Sequence, residues 1–185
     1  MIFLNIRTNF NSTFANRGMS LENDINETNK YYLDYDIALI YKKPTPIRIT
    51  KTDYKNMRIT DGFFESPSTL DYNGIYKGYY VEFDAKETKS KTSFPIDNIH
   101  KHQIEYIKKV IKHGGIVFLI VRFSTLNKDF IIKGKDLINY IEGNARKSIP
   151  LSYFEENTYK IEIKYAPRLD YIKVIDKIID EYNNH

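Results

Sequence analysis

The sequence contains no cysteine, which excludes a disulfide framework, a thiolate metal site and a cysteine nucleophile. Any bound metal must take oxygen or histidine ligands, and this favours a hard ion such as Mg²⁺, with Mn²⁺ as a second candidate. No stretch of apolar residues is long enough to span a membrane, and the opening residues, MIFLNIRTNFNST, lack the pattern of a secretory signal. The sequence therefore predicts a cytoplasmic protein with no membrane partner.

The chain also lacks a strong net charge, since 28 basic residues oppose 24 acidic ones and the net charge is +4. The positive residues are clustered, however, and between positions 41 and 58 only Asp53 is acidic. The basic residues of that segment are Lys42, Lys43, Arg48, Lys51, Lys55 and Arg58. Smaller clusters are Lys86, Lys89 and Lys91, and Lys101, Lys108, Lys109 and Lys112. Such clusters can neutralise DNA phosphates, although a solvated surface is the alternative for any one of them.

The length of 185 residues, with 42% hydrophobic residues, predicts a single domain with a substantial core. Apolar periodicity predicts helices over residues 21–32, with Ser20 as N-cap, and over 97–113, 137–141 and 169–182. Strands are predicted over 37–41, 116–123 and 130–132, and a β-hairpin over 69–86 that turns at Lys77-Gly78. This order indicates an α/β fold with a mixed central sheet flanked by helices.

Residues 50–68 show little periodicity and contain the aromatic pair Phe63-Phe64. The segment is interpreted as a protruding or mobile insertion in the domain.

The second arm of the hairpin carries the most informative pattern. Alternation along residues 80–86 places Glu82, Asp84 and Lys86 on one face of the strand. An ordinary solvent-facing strand is the simpler interpretation, but hairpin pairing also carries Asp71 towards Asp84. Two carboxylates beside an ammonium can hold Mg²⁺ and stabilise the transition state of phosphodiester hydrolysis.

Longer blocks of the sequence, in order along the chain, are NRGMSLE (16–22), NETNKYY (26–32), KKPTP (42–46), DYNGIYKG (71–78), AKETK (85–89), KTSFP (91–95) and YAPRLDY (165–171). These blocks resemble the RecU family of Holliday junction resolvases. The resemblance implies a restriction-endonuclease-like fold of the PD-(D/E)xK type and a dimeric, magnesium-dependent endonuclease. Its expected role is the symmetric cutting of four-way DNA junctions in homologous recombination and DNA repair.

Carried over to this chain, the resemblance implies Asp71, Asp84 and Lys86 as catalytic residues. The implied metal ligands are Thr69, Asp71, Asp84 and Gln103. The chain reads Glu82-Phe83-Asp84 where the family usually has Asp-Phe-Glu, so the preferred metal or its affinity is open, and Glu82 is a candidate auxiliary ligand. His100 and His102, two residues apart on a helix, are not expected to share a face and are interpreted as phosphate-facing or structural groups.

The family also has a stalk that enters the junction, and it corresponds here to residues 51–68. The expected DNA-binding residues are Lys42, Lys43, Lys51, Lys55, Arg58, Phe63, Phe64, Lys89 and Lys91. The alternative for Phe63 and Phe64 is that both rings pack back onto the sheet. The N-terminal segment to about Phe14 and the predicted hairpin are the candidate dimer contacts. Candidate protein partners are the strand-exchange recombinase and the branch-migration machinery.

Two other functions remain open at this point. The first is a non-catalytic junction-binding protein that modulates recombination. The second is a restriction-type nuclease that cuts linear duplex at a fixed site.

Overall fold

The computed structural model describes residues 20–65 and 69–184, and the elements below refer to those residues. The helices are α1 (Leu21–Asp34), α2 (Lys101–Lys112), α3 (Gly134–Gly143), α4 (Leu151–Asn157) and α5 (Ile172–Asn183). The strands are β1 (Leu39–Lys42), β2 (Ile47–Asp53), β3 (Arg58–Phe64), β4 (Tyr72–Tyr76), β5 (Tyr79–Thr88), β6 (Ser93–Pro95), β7 (Ile116–Phe123), β8 (Lys128–Lys133), β9 (Ser148–Pro150) and β10 (Tyr159–Ile161).

A six-stranded mixed sheet in the order β1-β4-β5-β7-β8-β10 forms the centre of the fold. Strands β5 and β7 run parallel, while the other neighbours pair antiparallel. Every residue of β7 is buried, as expected for an unbroken apolar strand that is covered on both faces. The predicted α/β class with a mixed, helix-flanked sheet is therefore confirmed.

Helices α1 and α5 cover one face of the sheet, and their core includes Val81, Phe83 and Phe118. The Phe83 ring stacks between Tyr72 and Phe118, with 4.9 Å between ring centroids on each side. Residues from α2, α3 and α4 pack on the opposite face. Glu82, Asp84 and Lys86 point to this second face, because their partners on β7 are Val117, Leu119 and Val121.

The hairpin of β4 and β5 has the predicted two-residue turn. Lys77 has φ 49° and Gly78 has φ 83°, and positive φ at both central residues is the requirement of a type I′ turn. On the other edge of β4, a Cβ on Gly74 would lie 2.0 Å from the Leu39 carbonyl oxygen. Glycine at this position therefore permits β1 to pair with β4 and brings the segment after β1 to the start of β4.

Residues 47–64 differ from the expectation of an insertion with little regular structure. Strands β2 and β3 pair with each other in a separate two-stranded sheet. All residues of the two strands are exposed except Asp53. The alternation that marks a strand arises from burying one face, so two strands with no buried face gave no such signal. The side chains of Phe63 and Phe64 are 52% and 76% exposed, which excludes the alternative that they pack back onto the central sheet.

Other predicted elements are confirmed with shifted ends. Ser20 accepts the Asn23 N–H as the N-cap of α1. Helix α2 begins at Lys101 instead of residue 97, because Ile96–Asn98 form a 3₁₀ turn. Strands β6, β9 and β10 and helix α4 were not predicted from the sequence, since each has seven residues or fewer and little periodicity. Within residues 20–65 and 69–184, no helix is long and apolar enough to cross a membrane.

A buried ion network joins α1 and the segment before α5 to the sheet. The Arg122 guanidinium on β7 contacts Asp129 on β8 and Asp24 on α1, each at 2.7 Å. Asp24 also contacts Arg168 at 2.9 Å, in the segment before α5. These carboxylates raise the pKa of Arg122 despite the opposing effect of burial, so the guanidinium remains charged inside the protein.

Candidate active site

The register of β4 and β5 brings Asp71 to Asp84. Tyr72 pairs with Phe83, so Asp71, one residue before β4, reaches the position beside Asp84. The two carboxyl groups lie close enough for Asp84 to shift the pKa of Asp71. Asp71 is half-buried and Asp84 is wholly buried, so the interpretation of this face as an ordinary solvent-facing strand is wrong.

Three further groups contact the Asp84 carboxylate. Its Oδ1 accepts the Ala85 N–H at 2.9 Å. Its Oδ2 accepts a 2.6 Å hydrogen bond from Nε2 of Gln103 on α2 and lies 2.9 Å from Nζ of Lys86. The structure therefore brings together four of the predicted site residues: Asp71, Asp84, Lys86 and Gln103.

The environment of Asp71 opposes a second negative charge. Burial, followed by the charge of Asp84 and the hydrogen bond to it, raises the Asp71 pKa from 3.8 to about 6. Lys86 and Lys42 act in the opposite direction and limit this rise in the pKa. Two carboxylates that cannot both ionise at low cost form a pair that a cation would stabilise.

The donor set fits a hard divalent ion. In the described part of the chain, no group of three or more His, Cys, Asp and Glu side chains is arranged to hold a metal. Mg²⁺ does not need such a group, since it is commonly bound by one or two carboxylates together with waters and substrate phosphate oxygens. Asp71 and Asp84 supply two carboxylates of this kind.

Gln103 contacts Asp84 directly, whereas Thr69 hydrogen-bonds to its neighbour Leu70. The Gln103 Oε1 accepts the backbone N–H of His100 at 3.2 Å, while its Nε2 donates to Asp84. The two partners fix the orientation of the amide, because one partner is a donor and the other is an acceptor. The Thr69 hydroxyl is half-buried and donates to the Leu70 carbonyl oxygen at 3.5 Å.

Glu82 is wholly buried and does not face the carboxylate pair as an open ligand. Its Oε1 binds Nζ of Lys43, and its Oε2 accepts the hydroxyls of Tyr80 at 2.7 Å and Tyr106 at 2.9 Å. The role of Tyr106 was missed in the sequence. The available signal was its spacing, since Tyr106 follows Gln103 by one helical turn and so lies on the same face of α2.

The expectation that His100 and His102 both lie within one helix is wrong. His100 is the N-cap of α2, with φ −68° and ψ 148°, so only His102 has helical backbone. Their rings stack at a centroid distance of 5.4 Å and an interplanar angle of 15°. Both side chains are exposed.

The residues expected to bind DNA lie in three places. Lys42 ends β1 and Lys43 follows it, beside the start of β4, and Lys42 contacts Glu22 at 2.5 Å. The β2–β3 hairpin carries Lys51, Lys55, Arg58, Phe63 and Phe64, all of them exposed. Lys89 and Lys91 are exposed in the segment that follows β5. The predicted dimer contact up to about Phe14 lies outside the described residues.

Comparison with known proteins identifies relatives along most of the sequence. A family model described as RecU, Recombination protein U, matches residues 16–177. A protein of Pediococcus pentosaceus is 50% identical over 173 residues, which cover 90% of this chain and 86% of the relative. A Geobacillus kaustophilus protein is 48% identical over 171 residues, covering 89% and 86%. A Bacillus cereus protein is 46% identical over 172 residues, covering 90% and 86%. Each of the three is named Holliday junction resolvase RecU.

Proposed function

The chain belongs to the RecU family, and we propose that it is a Holliday junction resolvase, a metal-dependent endonuclease that cuts four-way DNA junctions. The observation that carries this proposal is the contact of Asp84 with Asp71, Lys86 and Gln103 in one partly buried cluster. Such a cluster combines oxygen ligands for a metal with a cation for an anionic substrate. The proposed activity is that of a crossover junction endodeoxyribonuclease.

Asp71 and Asp84 would hold the metal, with Mg²⁺ as the proposed ion and Mn²⁺ as the alternative. When bound, the ion supplies a polarised phosphoryl oxygen and a bound water of lowered pKa. Gln103 would keep Asp84 in place by its hydrogen bond, and the Thr69 hydroxyl is an additional oxygen donor two residues before Asp71. Glu82 is not proposed as a ligand, because its contacts with Lys43, Tyr80 and Tyr106 occupy both oxygens.

Lys86 would stabilise the charge that develops on the scissile phosphate. Its ammonium is 2.9 Å from Oδ2 of Asp84, and the side chain is 17% exposed. A cation held beside the ligand carboxylate can contact a non-bridging phosphate oxygen without further reorganisation. The same ammonium can orient the attacking water in line with the leaving oxygen.

The β2–β3 hairpin is proposed as the stalk that enters the centre of the junction. It carries Phe63 and Phe64 with exposed rings, and Arg48 lies over the Phe63 ring at 5.9 Å. Aromatic side chains of this kind can stack on unpaired bases at the crossover. Lys51, Lys55 and Arg58 would contact phosphates of the junction arms, and Lys42, Lys43, Lys89 and Lys91 would do so nearer the metal site.

A symmetric homodimer is proposed because resolution needs two cuts that are related by the near two-fold symmetry of the junction. The face of the sheet that carries Asp84 also has an exposed apolar row, Leu39, Tyr41 and Ile75, and Leu39 pairs with Ile75 across β1 and β4. This row, which joins Ile75 of the predicted hairpin to Leu39 and Tyr41 of β1, is a candidate dimer contact. Light scattering should give a dimer for the wild type, and Leu39→Glu with Ile75→Glu should give a monomer. A wild-type monomer that still cuts would contradict the dimer.

The deciding experiment compares a four-way junction with a linear duplex of the same arm sequence, each incubated with the protein and Mg²⁺. Paired cuts in opposing strands of the junction, with little cutting of the duplex, would support the proposal. Fixed-site cutting of the duplex would instead support a restriction-type nuclease. Junction binding without cutting would support a non-catalytic recombination modulator, whose partners would be the recombinase and the branch-migration machinery.

A further inference from the structure

Glu82 is a wholly buried carboxylate that lies on the same face of β5 as Asp84 and outside the proposed metal site. One oxygen of its carboxylate accepts a hydrogen bond from Nζ of Lys43. The other accepts hydrogen bonds from the hydroxyls of Tyr80 and Tyr106. Burial and these hydrogen bonds raise the pKa of both tyrosines, so both retain the proton that they donate. Four side chains from three parts of the chain are thus joined in one polar cluster, which we call the Glu82 cluster.

The backbone of Lys43 is fixed beside the metal site independently of its side chain. Its N–H donates to the carbonyl oxygen of Asp71 at 2.7 Å, in continuation of the pairing of β1 with β4. The side chain then extends to Glu82 and passes over the Tyr106 ring, with Nζ 5.6 Å from the ring centroid. Although its ammonium is bound to a buried carboxylate, the Lys43 side chain is 21% exposed, so it is still partly accessible from the surface.

We propose that Glu82 is a positioning residue, which holds the Lys43 ammonium on the face of the metal site so that Lys43 binds a DNA phosphate next to the scissile one. This inference rests on the proposed nuclease function. A lysine has several rotatable bonds, and ordering it on DNA costs conformational entropy. Contacts with Glu82 and Tyr106 would order the side chain before DNA arrives, so this entropy would not be lost on binding.

Spacing along β5 favours a neighbouring phosphate over the scissile one. Lys86 contacts Asp84, and Lys43 contacts Glu82, which is two residues away on the same strand face. At a rise of roughly 3.3 Å per residue, two residues span about 7 Å, a distance on the order of one nucleotide step. The two ammonium groups would therefore contact successive phosphates of one DNA strand.

The test pairs Lys43→Met with junctions that carry a single neutral methylphosphonate, placed in turn at each phosphate within three nucleotides of the cut. Wild-type protein should lose kcat/KM by about tenfold at one flanking position, since one charge-assisted contact is lost there. Lys43→Met should lose no more than about twofold at that same position, because the partner of the phosphate is already absent. The loss should lie in KM with kcat nearly unchanged, as expected for a contact that is equally strong in the ground state and the transition state.

Two variants test the positioning role while retaining Lys43. Glu82→Gln keeps the size of the side chain but removes its charge, and Tyr106→Phe keeps the ring but removes its hydrogen bond to Glu82. In both variants the flanking methylphosphonate should cause a smaller loss of kcat/KM than in wild type. The loss should be smallest in Glu82→Gln. Lys77→Met is the matched control, because Lys77 is also bound to a carboxylate, Asp176, and lies over a tyrosine ring, that of Tyr76. Tyr76 packs in the opposite core, so Lys77→Met should behave as wild type.

The outcomes separate this inference from the proposed function. Failure of the wild type to cut the junction would overturn the nuclease proposal itself. If the wild type cuts but Lys43→Met loses as much kcat/KM as wild type at every methylphosphonate position, the proposed contact of Lys43 with a phosphate is wrong. If Lys43→Met loses its sensitivity while both Glu82→Gln and Tyr106→Phe retain the wild-type value, Lys43 binds the phosphate and Glu82 does not position it.

Discussion

Gln103 on α2 donates a 2.6 Å hydrogen bond from Nε2 to Oδ2 of Asp84 on β5, and both side chains are buried. The other end of the amide accepts the His100 N–H at the start of the helix. A single side chain thus connects the first turn of α2 with the central carboxylate of the site. The position of the helix and the orientation of the carboxylate therefore depend on each other.

Gln103→Ala should weaken Mn²⁺ binding and slow junction cutting by about 10- to 100-fold, the usual cost of losing a group that orients a metal ligand. Titration calorimetry with Mn²⁺ and single-turnover cleavage would measure the two effects. His102→Ala is the control, because His102 lies on the same turn of α2 but is exposed. Unchanged metal affinity in Gln103→Ala would contradict the proposed orienting role.

The Asp71 pKa of about 6 predicts a pH dependence for metal binding. Below that value Asp71 carries a proton that a metal ion must displace, so affinity for Mn²⁺ should fall as the pH drops through about 6. In Asp71→Asn the residual binding should be weak and should lack this step. Calorimetric titrations between pH 5 and pH 8, about one unit below and two units above that value, would measure it. A wild-type affinity that is constant over this range would show that the Asp71 pKa is not raised.

The same shift predicts an effect on stability in the absence of metal. The folded pKa is about 6 and the ordinary value is 3.8, so between these values the folded chain holds a proton that the unfolded chain releases. The free energy of unfolding in EDTA should therefore fall as the pH rises from about 4 to about 6. Other groups titrate in this range, so the relevant quantity is the difference between wild type and Asp71→Asn. A difference that does not change with pH would contradict the prediction.

Sequence patterns were sufficient for every strand of the central sheet except β10, and for part of the site. Alternation along β5 placed Glu82, Asp84 and Lys86 on one face, and the turn at Lys77-Gly78 brought Asp71 to Asp84. The burial of Glu82 and Asp84 could not be predicted in this way, because it depends on the packing of α2 over the strand. The donors to Glu82 were missed for the same reason, since Lys43 and Tyr106 reach it from distant parts of the chain.

The β2–β3 hairpin should contribute selectivity for junctions. Replacing Phe63 and Phe64 with alanine should reduce the preference for four-way over linear DNA by about tenfold, since stacking of one base on an aromatic ring contributes about 1–3 kcal/mol. Dissociation constants for the two DNAs at equal salt concentration would measure this. Met57→Ala is a suitable control, because Met57 is also exposed on the hairpin but has no aromatic ring. An unchanged preference in the double variant would mean that selectivity lies elsewhere.

Arg122 should be important for stability and not for chemistry. Arg122→Met leaves Asp24 and Asp129 buried without this cation and should lower the free energy of unfolding by about 3–5 kcal/mol. Lys128→Met removes a more exposed pair with Glu155 and should cost less than about 1 kcal/mol. Urea denaturation followed by circular dichroism would compare the two variants. An equal loss of unfolding free energy in both variants would show that the buried network stabilises the protein no more than an exposed ion pair does.

The most direct test of the metal-binding pair is the cutting of a four-way junction by wild type, Asp71→Asn and Asp84→Asn with Mg²⁺, measured together with junction binding. The wild type should make paired cuts, and neither variant should cut detectably. Junction affinity should stay within about threefold of wild type, because the basic surfaces that bind phosphates are retained. Cutting by either variant at the wild-type rate would contradict the assignment of Asp71 and Asp84 as the metal-binding pair.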